Sequence, residues 1–249
     1  MTYREECIGG QRLILGDCLE VLPTLEAGSV DAVVTDPPYG IGDAPCNTPN
    51  RRGKRIGSVN DWHPPSDWDK FINPMWCSTC CEAAPVVAWF GHWSKRPEVE
   101  AAMSYPIRAE IVWAKNCHTG APCPLAMRDE RIWLFSACGI IGTRFETSVW
   151  DEPIIPTWAH REHRNEKPLR LMSRLVSWLT AGTIIDPFLG SGTTLVAAEL
   201  LGRRGIGIEI DPGYFDIACR RVEQAAAQPR LFQPDAQGAP EQYTLEAHQ

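Results

Sequence analysis

The chain has 249 residues, 44% of them hydrophobic, and a formal net charge of −7, so it can bury one sizeable core, whereas two independent domains would be cramped. No run approaches the ~18 uninterrupted apolar residues of a membrane helix, and the N-terminal stretch lacks the basic-then-apolar order of a secretory signal, so a cytoplasmic protein is expected. Ten cysteines, scattered through ordinary helix and strand patterns, read as reduced thiols rather than a disulfide framework.

In chain order, strand-like runs are Leu13 to Leu15, Val30 to Thr35, Val86 to Phe90, Ile107 to Trp113, Arg131 to Phe135, Thr183 to Ile185 and Arg204 to Ile208. Several are continuously apolar, as buried parallel strands are. Helical runs fall between them at Trp68 to Ala84, Pro97 to Met103, Pro168 to Leu179, Thr193 to Leu201 and Tyr214 to Gln224, and Pro74 is expected to kink or divide the first. The alternation predicts an α/β fold, a doubly wound and mostly parallel Rossmann-like sheet with an antiparallel pair near residues 107–136. One domain spans 1–233, with a long mobile loop at 40–66, irregular segments at 116–128 and 141–165, and a flexible tail at 234–249. Net negative charge disfavours a polyanionic ligand overall, yet Arg51, Arg52, Lys54 and Arg55 form a basic loop. Arg161, Arg164, Lys167, Arg170 and Arg174 make a second basic stretch, so local footprints for phosphate are available.

The strand ending at Thr35 stops abruptly at Asp36-Pro37-Pro38-Tyr39. Two prolines hold the backbone extended and cannot donate to a ladder, so their carbonyls are presented outward in a fixed direction. An acid beside them and an aromatic ring after them suit an aromatic amine, whose two N–H bonds need acceptors and whose ring needs a stacking partner.

Asp186-Pro187-Phe188-Leu189-Gly190-Ser191-Gly192-Thr193-Thr194 joins a buried strand to a helix. Gly190 and Gly192 lack the Cβ atoms that would block a ligand from the backbone, and Asp186 at the strand end can pair with a cationic amine. The next strand ends in Glu209-Ile210, with Glu209 positioned for ribose hydroxyls. A nicotinamide dinucleotide would need a third glycine where Leu195 stands, and no Walker Lys follows the turn, so a nucleoside with a short charged tail fits better than a pyrophosphate.

Together, these paired motifs resemble those of the DNA amino-methyltransferases. Gly16-Asp17-Cys18 is similar to the family element near the cofactor's adenine, Asn165-Glu166-Lys167-Pro168-Leu169 to its Lys-Pro element, and Asp129 to Phe135 to a later core strand. With the tetrapeptide before the glycine loop, the order matches the β group, many of whose members use adenine. The resemblance implies an S-adenosylmethionine-dependent enzyme that methylates adenine N6 in double-stranded DNA by base flipping and direct displacement, with cytosine N4 as the alternative. It implies Asp36, Pro37, Pro38 and Tyr39 as catalytic. Around the cofactor it implies Asp17, Cys18, Asp36, Lys167, Asp186, Phe188, Gly190, Ser191, Gly192, Thr193, Thr194, Glu209 and Ile210. Lys167 is assigned to the methionine carboxylate, Arg51, Arg52, Lys54 and Arg55 to DNA, and base recognition to residues 40–66, 116–128 and 141–165.

A C5-cytosine enzyme would need a Pro-Cys thiolate; Pro45-Cys46 and Pro122-Cys123 offer the pair, but neither replaces the tetrapeptide. Zinc would need well-spaced pairs that Cys77, Cys80, Cys81 and Cys117, His118, Cys123 do not supply, so no metal is expected. A non-catalytic DNA-binding regulator would keep the pocket for structure alone. The short stretch before the Lys-Pro helix leads to the expectation of a homodimer that shares DNA contacts.

Overall fold

The computed structural model describes residues 3–40, 71–115, 128–139, 141–155, 166–179 and 182–228. Arg51, Arg52, Lys54, Arg55, Cys46, Cys117, His118, Cys123, Trp158, Arg161, Arg164 and the tail lie outside these residues, with most of the segments assigned to DNA recognition. Strands are β1 (Arg4–Ile8), β2 (Gln11–Leu15), β3 (Ala32–Thr35), β4 (Val86–Gly91), β5 (Ile107–Ala114), β6 (Asp129–Ser136), β7 (Val149–Asp151), β8 (Ile184–Asp186) and β9 (Gly205–Glu209). Helices are α1 (Cys18–Val21), α2 (Pro74–Ala83), α3 (Arg96–Ala102), α4 (Leu169–Trp178), α5 (Thr193–Leu200) and α6 (Pro212–Ala226).

The strands form one sheet in the order β1-β2-β9-β8-β3-β4-β6-β5-β7. β2, β9, β8, β3 and β4 run parallel, and the expected antiparallel pair is β5 with β6. Side chains alternate between faces, as the two-residue strand period requires. Val33, Val87, Trp89 and Ile185 pack with Cys18, Cys77, Cys80 and Val99 on one face. Val34, Ala88, Phe90 and Ile184 pack with Leu171, Leu175 and Val176 of α4 on the other, where Leu13 also meets Leu195, Phe215 and Val222 of α5 and α6. Strands buried on both faces are why these sequences read as unbroken apolar runs.

Three details differ from the sequence reading. Pro74 does not kink α2 but begins it, behind an Asn73 cap whose Oδ1 accepts from the Met75 N–H at 3.0 Å; the first turn has no use for the N–H that proline lacks. β1 begins with three consecutive charged residues, Arg4, Glu5 and Glu6, on an exposed edge, and β7 is only three residues long, so neither shows the apolar run of a central strand. Trp150, expected among residues that reach DNA, is fully buried. Its indole donates to Thr147 O at 2.7 Å and its ring packs edge-on against Trp178, with centroids 6.2 Å apart, so it is a core residue at the sheet edge. Among the described residues no helix is long and apolar enough to cross a membrane.

Candidate active site

The parallel strands end side by side. Leu15 is in register with Glu209, and Asp186 with Gly207, while β8 pairs with β3 just before Asp36. The β8-to-β9 connection carries α5 to one face and the β3-to-β4 connection carries α2 to the other, so the strand order switches between β8 and β3. In an open α/β sheet, loops part at that point and leave a crevice. Asp17, Glu209, Asp186 and Asp36, each at or just beyond a strand's carboxyl end, therefore line one edge.

On the β8–β9 side, Asp186 is 3% exposed. Its Oδ1 accepts from the Phe188 N–H at 3.1 Å and its Oδ2 from the Thr194 hydroxyl at 2.5 Å. Burial pushes the carboxyl up to about 7, against the downward pull of those two hydrogen bonds. Glu209 is also buried, accepting from the N–H groups of Gly190 at 2.7 Å and Asp211 at 2.9 Å; burial raises it, and the amides only partly offset this. Asp17 caps α1 through the Leu19 N–H at 2.9 Å, and the Gly16 N–H donates to Glu209 O at 2.9 Å, which holds the α1 turn beside β9. Ile210 is 68% exposed at the end of β9, and Phe188 meets Trp76 of α2 edge-on, with ring centroids 5.0 Å apart.

The two loop glycines turn out to do different work. Gly190 has φ +55, and among the described residues a Cβ there would meet nothing within 4 Å. Gly192 has φ +87, but a Cβ there would lie 2.9 Å from the Cβ of Ala218. Its smallness therefore allows the close contact with α6. Ser191 and Thr193 are likewise engaged by Arg221 of α6, whose Nη1 donates to Ser191 O at 2.7 Å, Ser191 Oγ at 2.8 Å and Thr193 Oγ1 at 3.2 Å. Arg221 also pairs with Glu166, tying the glycine loop to the Lys-Pro segment.

On the β3 side, Lys167 Nζ lies 2.6 Å from Asp36 Oδ2, 2.8 Å from Glu130 Oε1 and 3.1 Å from the Tyr39 hydroxyl. Three N–H bonds thus meet three partners. The resemblance implied this ammonium near a methionine carboxylate; its contacts within the chain are with the tetrapeptide and Glu130. The Tyr39 hydroxyl lies 2.7 Å from Asp36 Oδ1 and also touches Glu130, and Lys115 pairs with the other oxygen of Glu130. Burial would push Glu130 up, but Lys167 and Lys115 outweigh it and hold the carboxyl down at about 2. Burial and the neighbouring carboxylates push the Tyr39 phenol well above its ordinary value, so it keeps its proton.

Glu130, Lys115 and Arg221 were not singled out from sequence. An ionisable residue beginning or following an otherwise apolar strand, as Glu130 and Lys115 do, was the available signal; Arg221 sits in a helix with other charges and carried none. Of the second basic stretch, Arg174 pairs with Glu146 at 2.7 Å and Lys167 is used as described, whereas Arg170, 3.1 Å from Glu152, keeps its side chain exposed. Burial raises the Cys18 and Cys77 thiols to about 12 and pushes the Cys80 thiol well above its ordinary value, so these act as small apolar packing groups. Among the described residues, no cluster of three or more His, Cys, Asp or Glu could hold a metal ion.

The N6/N4 DNA methylase family model matches residues 30–220, which span both halves of the cleft. The chain belongs to this family. The methylase YubD of Escherichia coli (strain K12) is 28% identical over 244 residues, covering 90% of this chain and 99% of that one. Type II methyltransferase M.HinfI of Haemophilus influenzae is 24% identical, covering 87% of this chain and 69% of the relative. Of solved structures, the M1.HpyAVI–SAM complex superposes with a TM-score of 0.64 at 19% identity, over 85% of this methylase and 98% of the other. The cytosine-N4-specific PvuII DNA methyltransferase gives 0.64 at 15% identity, over 86% of each chain. At these identities the two structures speak for the fold, a Rossmann-like α/β methyltransferase sheet.

Proposed function

We propose that this methylase transfers a methyl group from S-adenosylmethionine to the exocyclic N6 of adenine in duplex DNA, with the base flipped out of the helix. One observation carries the reading: two differently charged half-sites share one crevice. Asp186 and Glu209 rest on amides and a hydroxyl, and burial disfavours their charge, so a cationic ligand would relieve them. Asp36 and Glu130 are matched by Lys115 and Lys167, so that half would take a neutral group such as a base amine.

The residues present fit the cofactor. Asp186 would hold its amine, Glu209 the ribose hydroxyls and Asp17 the adenine edge, with Ile210 against the adenine ring and the side of Gly190 that no described residue fills admitting the chain. When bound, that cofactor supplies a methyl on a positively charged sulfur; the acceptor nitrogen gains the methyl and gives up one proton, leaving a neutral thioether. A base amine is a weak nucleophile because its lone pair is delocalised into the ring. The Asp36 carboxylate and the Pro37 carbonyl would each accept one N–H, localising the lone pair and meeting the positive charge that develops on nitrogen. Pro37 and Pro38 fix the backbone that presents the carbonyl, and stacking on the Tyr39 ring would add about 1–3 kcal/mol. Arg51, Arg52, Lys54 and Arg55 are the proposed phosphate contacts.

The choice of adenine N6 rests on the order of the motifs. Cytosine N4, for which the PvuII enzyme is specific, presents the same kind of amine and is the second reading. Methylation-aware sequencing of DNA from cells expressing the protein tests both. N6-methyladenine at one short motif is expected, N4-methylcytosine would select the second reading, and unmodified DNA would defeat the proposal.

A further inference from the structure

The lysine–carboxylate cluster goes beyond the tetrapeptide. Asp36 has two carboxylate oxygens, and both are engaged: Oδ2 by Lys167 at 2.6 Å and Oδ1 by the Tyr39 hydroxyl at 2.7 Å. Each oxygen can accept a second hydrogen bond, so an entering amine either joins one of these partners or replaces it, and the side that carries no ion pair yields more readily. The Lys167 pair joins two full charges in a half-closed pocket, where the lysine side chain is 11% exposed and that of Asp36 26%. Losing it would leave Asp36 without its counter-charge, and a carboxylate partly withdrawn from water without a counter-charge is strongly unfavourable. The Tyr39 bond joins a neutral donor to a carboxylate, and the side chain can move without leaving any charge unpaired.

Lys167 is itself held from two directions. Glu130, at the start of β6, accepts from it at 2.8 Å and pairs on its other oxygen with Lys115, which follows β5. β5 and β6 are hydrogen-bonded there, Ala114 facing Asp129, and the Lys115 N–H donates to Arg128 O at 2.6 Å. Lys167 also lies over the rings of Phe90 and Tyr39, at 5.1 and 5.5 Å from their centroids, which limits the directions it can turn. Rigid strand ends therefore set the ammonium, and the ammonium sets the carboxylate.

We propose that Lys167, anchored by Glu130 and Lys115, is the positioning residue of methyl transfer: it fixes Oδ2 of Asp36, so that Oδ1, vacated by the Tyr39 hydroxyl, accepts the target amine. This rests on the methyl-transfer reading above. Oδ1 is then the atom that accepts the amine N–H and passes the surplus proton toward solvent.

The test uses the full chain, with duplex DNA containing the motif found by sequencing. For wild type, Lys167→Met and Lys167→Arg, kcat, KM for DNA, the dissociation constant for S-adenosylmethionine by calorimetry, and kcat against pH are measured. Lys167→Met is expected to lose at least 100-fold in kcat while donor affinity stays within threefold. The acid limb of its residual activity should move to higher pH, because Glu130 deprived of an ammonium keeps its proton longer. Lys167→Arg should recover part of kcat and return the acid limb to its wild-type position. A Lys167→Met enzyme with wild-type kcat but weakened donor binding would place the lysine on the methionine carboxylate and overturn the proposal. A fall in melting temperature with unchanged kcat and pH profile would overturn it too, as purely structural. If Lys167→Met does not fold, Lys167→Arg decides: at least a tenfold loss of kcat with donor affinity kept supports the proposal, and unchanged kcat sinks it. Wild-type protein without methyl transfer would instead refute the parent reading.

Discussion

On the β8–β9 side of the cleft, Asp186 and Glu209 are buried against backbone amides and a threonine hydroxyl, and Asp186 is pushed up to about 7. On the β3–β6 side, Asp36 and Glu130 are just as close to strand ends but share Lys115 and Lys167, and Glu130 is held down at about 2. The same residue type at equivalent places in one sheet thus ends in opposite electrostatic states. Burial acts on both sides; what differs is whether the protein supplies the counter-charge itself. A half-site that withholds it is complementary to a cationic ligand, and one that supplies it is complementary to a neutral ligand. Two reactants of different charge can be sorted this way in a single crevice.

The largest expected effect comes from breaking the neutral half. Asp36→Ala should reduce kcat by at least about 10³-fold, the scale on which lost transition-state acceptors or donors act, while donor binding measured by calorimetry is retained. Loss of donor binding in step with kcat would merge the two halves into one. Next is Asp186→Asn, which should weaken donor affinity by roughly 10–100-fold at pH 8, since hydrogen bonds to a charged group contribute about 1.5–3 kcal/mol.

The same residue gives the comparison a pH signature. A cationic donor selects the ionised carboxylate, so wild-type affinity should fall by up to about tenfold per unit as pH drops below about 7 and level off above it. Asp186→Asn should flatten that dependence. Stability runs the other way: the folded value lies above the ordinary 3.8, so native Asp186 holds a proton that the unfolded chain has released. The ligand-free protein therefore loses stability from this group as pH rises through about 4 to 7, and Asp186→Asn should raise its melting temperature at pH 8 but not at pH 4. Glu130 has the opposite sign, its contribution being present above about 4.5 and lost as pH falls toward about 2. Melting curves across pH check both.

The smallest effects separate the two glycines. Gly190→Ala should strain the left-handed backbone by about 1–2 kcal/mol and weaken donor binding about tenfold, because the new methyl would occupy space that no described residue fills. Gly192→Ala adds a contact with Ala218 at 2.9 Å, so its cost should appear mainly as a lower melting temperature. Equal effects on binding would contradict the division of labour between them.

Much of this molecule was legible because its signals are local. Buried parallel strands must be apolar on both faces, so Val86 to Phe90 and Arg204 to Ile208 read as strands. Asp36-Pro37-Pro38-Tyr39 and the glycine loop announce backbone conformations that few other residues adopt. Where local signals were weak, the reading failed: β1 and β7 are edge strands, Pro74 permits either a kink or a start, and Trp150 has the same composition in a recognition loop as in a core.

The amino-acid sequence by itself determined the alternating α/β pattern, the two motif loops and the acids at strand ends, since each follows from residue type and spacing along the chain. Only the tertiary structure decided which charges meet. Asp36, Lys115, Glu130 and Lys167 come from four separate segments, and Arg221 reaches Ser191 and Glu166 from a fifth. Coulomb energy depends on distance and burial rather than on separation along the chain, so the partner that holds one buried carboxylate low, and leaves another high, exists only once the sheet has brought their strands together.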